Sequence, residues 1–118
     1  MSNPVEIEKE LIAIFPEFSQ EVDTLNCERK EFEYDFGYIE PKTRHEVWRV
    51  FAESSLEIIS CSNVKTIKKL CVFINDQCES GGDMENSVST CFLEHASQIG
   101  VRKLIKPYLN GRARDELR

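Results

Sequence analysis

A chain of 118 residues, 41% hydrophobic and 31% charged, has the ordinary globular mix, which argues against disorder and fits one domain around one core. Its net charge of −6 argues against nucleic acid or an anionic membrane as the main ligand, because both need a basic footprint. A basic protein partner suits that charge better, since opposite fields speed encounter.

In chain order, Asn3 can cap a first helix, with Pro4 in its first turn and Glu6 three residues after the cap. This is the capping-box spacing. Ile7, Leu11 and Ile14 recur at helical intervals until Phe15-Pro16 breaks the helix, because the residue before proline disfavours the α region. A short second helix over residues 16–24 would bury Phe18, Val22 and Leu25. From there the pattern changes: Phe32, Tyr34, Phe36 and Tyr38 alternate with Glu31, Glu33, Asp35 and Gly37. A period of two predicts an extended segment near residues 28–40, an edge strand or a loop, with one aromatic and one acidic face. No second strand is in prospect to pair with it, which favours the loop.

A long third helix is expected from Pro41 to about Ser60, with Val47, Trp48, Val50, Phe51, Leu56 and Ile59 on its apolar stripe. Asn63 can cap a fourth, in which Val64, Ile67, Leu70, Cys71, Ile74 and Cys78 recur every three or four residues. Gly81-Gly82 stops it. Asp83 is the expected cap of a fifth helix carrying Met84, Val88, Cys91, Phe92 and Ala96 inward. Val101, Leu104 and Ile105 begin a last helix that Pro107 bends, and residues 111–118 form a polar end. The expected fold is an all-α single-domain bundle of five to six helices over residues 1–118.

The opening sequence has no basic-then-apolar leader, and no stretch reaches the roughly 18 apolar residues of a membrane span. The five cysteines, at positions 27, 61, 71, 78 and 91, are odd in number. Together these features predict a cytoplasmic protein with reduced thiols.

Chemical signatures are sparse. There is no Cys-x-x-Cys or His-x-x-x-His pair, and two turns of helix separate Cys71 from Cys78, so no metal or cofactor is expected. Cys91 and His95 have the i, i+4 spacing of a thiol–imidazole pair, but the apolar stripe around Cys91 predicts an inert thiol. Glu79, Asp83 and Glu85 would repel a phosphate from the Gly81-Gly82 turn. No enzymatic activity is expected.

What stands out is charge asymmetry. Residues 1–40 hold eleven acids against three bases, a balance of −8, while residues 41–118 balance at +2. Within the acidic third, Glu28, Glu31, Glu33, Asp35 and Glu40 accompany Phe32, Tyr34, Phe36 and Tyr38. Aromatics supply contact area at low entropy cost, and carboxylates steer a basic partner. These nine residues are the candidate partner-binding site; the competing account folds the aromatics inward and leaves the acids as solvated edge.

Residues 82–94, a glycine–acid turn leading through Asn86 and Val88 to Phe92-Leu93-Glu94, resemble a helix of small helical immunity proteins from bacterial contact-dependent growth inhibition and polymorphic-toxin loci. Leu11 to Glu17, with its Ile14-Phe15-Pro16-Glu17, and Leu109 to Leu117, with its Arg114-Asp115-Glu116-Leu117, are similar to the same group. The resemblance implies a cytosolic protein that neutralises a toxin domain, commonly a nuclease, and brings no catalytic residues with it. It assigns no role to residues 28–40, which are nominated by their own chemistry. The alternative is a regulatory or adaptor domain that binds a non-toxin protein, through the basic C-terminal group Arg102, Lys103, Lys106, Arg112, Arg114 and Arg118.

Overall fold

A computed structural model describes residues 2–118, and every regular element among them is helical. Five longer helices come first: α1 (Pro4–Ile14), α2 (Phe18–Phe36), α3 (Arg44–Ser60), α4 (Val64–Glu79) and α5 (Gly82–Cys91). The C-terminal part is broken into shorter pieces: a 3-10 turn (Leu93–His95), α6 (Ala96–Ile99), α7 (Arg102–Ile105), a second 3-10 turn (Lys106–Tyr108) and α8 (Gly111–Glu116). The all-α class is as expected, with more helical segments than the five or six anticipated.

Local signals set several boundaries. The Asn3 side chain accepts from the Glu6 amide at 2.9 Å while the Asn3 amide donates to Glu6 Oε1 at 3.2 Å, closing the capping box at α1. Thr43 and Asn63 cap α3 and α4 by the same side-chain-to-backbone bond. α3 therefore begins three residues after Pro41, because the hydroxyl of Thr43 satisfies its first turn. Gly81, at φ +67°, is the entry to α5; Asp83 sits inside the first turn rather than at the cap.

One core joins the elements. Phe51 lies at its centre, fully buried, with Phe18 and Phe92 at ring-centroid distances of 5.3 and 5.5 Å and Phe15 and Trp48 both at 5.9 Å. Ile7 and Leu11 close it from α1, and Ile67, Leu70, Cys71, Ile74 and Cys78 from α4. Leu56 and Val64, expected on buried stripes, are instead about half exposed, each lying at the edge of its helix's inner face. The final residues are not a loose polar end. Ala113 and Leu117 are buried, and the Arg118 backbone bonds both ways, donating to Leu93 O at 3.0 Å and accepting from Ser97 N at 2.8 Å.

The largest departure from expectation is in α2. The extended segment near residues 28–40 does not form: helix continues through Phe36 and ends at Gly37, whose φ of +74° lets its amide return to Glu33 O at 2.7 Å. The second helix thus runs twelve residues beyond Thr24. Its core face stops at Leu25, so the remainder projects as an arm from a molecule measuring 45 × 30 × 24 Å.

Candidate functional site

The arm and the connector that follows it carry all nine nominated residues. Positions 31–38 are exposed without interruption; Tyr34 is 90% exposed, Phe36 70%, Tyr38 63% and Phe32 49%. The inward-folded account is therefore excluded for the aromatics. Helical geometry also redistributes them. Phe32 and Phe36, four apart, lie against each other on one face, their rings tilted by 37° with centroids 4.5 Å apart. Glu28, Glu31 and Asp35 follow one another at three- and four-residue steps on the flank of that face. Tyr34 and Glu33 point elsewhere on the helix, while Tyr38 and Glu40 lie in the connector. The single aromatic face implied by a period of two does not exist.

What holds the arm in place was not apparent from sequence. Arg29, mostly buried, donates from Nη1 to Glu46 Oε1 of α3 at 2.7 Å and from Nη2 to the Glu40 carbonyl. Lys42, in the connector, reaches Glu8 Oε2 of α1 at 2.8 Å and Asn26 Oδ1 of α2 at 2.6 Å. These two cations tie arm and connector to three helices. Charge-assisted bonds with this little solvent contribute more than a surface pair. Arg29→Ala is expected to lower unfolding free energy by about 1.5–3 kcal/mol, and to raise amide exchange over residues 37–42, as read by urea melts and hydrogen exchange. Exchange unchanged in the connector would show that Arg29 does not hold it.

Between the arm, the connector and the first half of α3 lies a groove of about 590 Å³. Glu28, Phe32 and Glu40 line it together with Ile39, Arg29 and Arg49, so its lining mixes apolar side chains with charges of both signs. Such a groove can receive an apolar side chain with a polar end.

Cys91 pairs with a different histidine from the one its spacing suggested. α5 ends at Cys91, which breaks the i, i+4 relation with His95, and His95 Nδ1 lies 3.2 Å from Gln98 instead. His45 supplies the partner: its Nδ1 is 3.4 Å from Cys91 Sγ, and its Nε2 is 3.5 Å from Asp83 Oδ1. The order thiol, imidazole, carboxylate has the outline of a nucleophile site. Its electrostatics are unfavourable, however. Burial pushes the Cys91 thiol above its ordinary value, with Arg49 opposing and Glu94 adding to the rise, and the thiol stands at a helix C-terminus, the negative end of the dipole.

The basic C-terminal group is only partly available. Arg112 Nε bonds Glu85 Oε2 at 3.2 Å, and Arg118 Nη1 turns back to the Asp115 carbonyl at 3.0 Å.

Fold and site together describe a small all-helical domain that presents a rigidly mounted acidic and aromatic helical arm. No family model matches the chain, and no curated protein or solved structure matches it significantly.

Proposed function

We propose that this chain is an immunity protein that binds and neutralises a cognate toxin domain, a nuclease and by preference an RNase, through steric and electrostatic blockade. The observation that carries the reading is the arm: eight consecutive exposed residues, 31–38, combining three carboxylates with four solvent-facing aromatics, flanked by the anchoring bonds of Arg29 and Lys42. Exposing that much aromatic surface costs solubility unless a partner covers it. The acids select a basic surface, which a nuclease must have where it holds its polyanionic substrate. The resemblance of residues 82–94 and of the two shorter stretches to helical immunity proteins points the same way. Arm, groove and connector form one side of a standard interface of about 1,600 Å².

The adaptor reading draws on the basic C-terminal group. Docking of α8 on the core, with Arg112 and Arg118 engaged internally, leaves it a weaker surface than the arm.

Capture of the tagged protein from its native host, with mass spectrometry of what is bound, should yield a basic nuclease domain encoded beside it. Recovery of a regulatory partner instead would favour the adaptor. With that partner in hand, joint charge reversal of Glu31, Glu33 and Asp35 to lysine should slow association about tenfold or more at low salt, with the difference shrinking as ionic strength rises. An unchanged on-rate and unchanged protection of cells would remove the arm from the interface.

A further inference from the structure

A second cluster lies away from the arm, where α4, α5 and α8 meet. Cys78 Sγ, a carboxylate oxygen of Glu85 and one of Glu116 lie within 4.8 Å of one another. The thiol at its centre is fully buried, Glu85 is mostly buried, and Glu116 Oε2 lies 3.7 Å from the sulfur. This differs from an acidic surface patch, in which carboxylates turn away from one another into water. Here three separate helices aim donor atoms inward at one point.

Arg112 Nε is bonded to Glu85 Oε2 at 3.2 Å, and the Cys78 thiol donates to Glu116 Oε2. One thiolate and two carboxylates at that point would be neutralised by a divalent ion together with Arg112.

We propose that Cys78, Glu85 and Glu116 form a binding site for a thiophilic divalent cation, zinc in the first instance. A tetrahedral zinc with bonds of about 2.3 Å to sulfur and 2.0–2.2 Å to oxygen sets those ligands about 3.5 Å apart, close to the 3.7 Å between Cys78 and Glu116. Three protein ligands leave the fourth position to water. Calcium and magnesium are disfavoured, because they call for more oxygen ligands and avoid thiolate. Binding releases the Cys78 proton and any proton shared between the carboxyls, so affinity rises with pH. The ion would fasten α8 to α4 and α5, which is a structural role independent of the arm and of the toxin-binding reading.

The test uses the full chain with the exposed thiols removed, Cys27→Ser and Cys61→Ser, titrated with cobalt(II) under a non-chelating reductant. A thiolate-to-cobalt charge-transfer band that saturates at one equivalent and is displaced by zinc is expected, along with a zinc-dependent rise in melting temperature. Cys78→Ser should abolish the band, and Glu116→Gln, which preserves shape, should weaken binding by about tenfold or more. Cys71→Ser, which alters the other buried thiol, should leave the band in place. Absence of the band at millimolar cobalt overturns the site, as does a band that survives both Cys78→Ser and Glu116→Gln. Because the parent protein is itself titrated, misfolding of a variant does not decide the result.

Discussion

Replacing Phe51 by alanine is expected to cost about 3–5 kcal/mol of folding free energy. The ring is fully buried and touches four other aromatics brought by the end of α1, by α2, by α3 itself and by the residue that closes α5. Phe18 and Trp48 meet it edge-on, at 87°, a geometry that adds to the burial term. Four elements converge on one side chain, so the void cannot close by shifting any single helix. A domain of this size has only about 5–15 kcal/mol in total. Thermal melts should therefore fall by on the order of 15 °C or more. A loss below about 1 kcal/mol would mean that the cluster repacks freely.

The opposite profile is expected at the arm. The double substitution Phe32→Ala with Phe36→Ala removes two exposed rings in mutual contact. It should change stability by no more than about 0.5–1 kcal/mol, while weakening the proposed complex with a toxin domain by about 2–4 kcal/mol, roughly 30- to 1,000-fold in Kd. Calorimetric titration of the complex, paired with a melt of the free protein, separates the two effects. Intact affinity in a complex that still forms would place the contact surface elsewhere. The comparison with Phe51 is informative because the residue type is the same and only its placement differs.

That contrast also explains what could be read in advance. Asn3, Asn63 and the apolar rows of α1 and α4 were legible because capping and one-sided burial leave periodic marks in sequence. The arm left none. A helical stretch exposed on every side records no burial period, so the chance alternation from Phe32 to Tyr38 imitated a strand. Glu28, Arg29, Lys30 and Glu31, all good helix formers, were the overlooked signal. The docked end was missed for a related reason: α8 and the Leu117 that caps it bury little more than Ala113 and Leu117 itself, too few residues to set a pattern. Other features are tertiary and have no local signature at all. His45 meets Cys91 from 46 residues away, Lys42 meets Glu8 from 34, and Cys78 meets Glu116 from 38.

The break in α2 at Leu25, where packing duty ends while the helix continues, divides the labour of this chain between two sets of positions. Residues up to Leu25 answer to the core, and residues 31–38 answer only to solvent and to whatever docks there. Substitutions in the second set are thus nearly invisible to folding, provided helix-forming residues are kept and Gly37 retains its left-handed turn. On the proposed reading, specificity for a partner can then change along two turns of helix at little cost to folding.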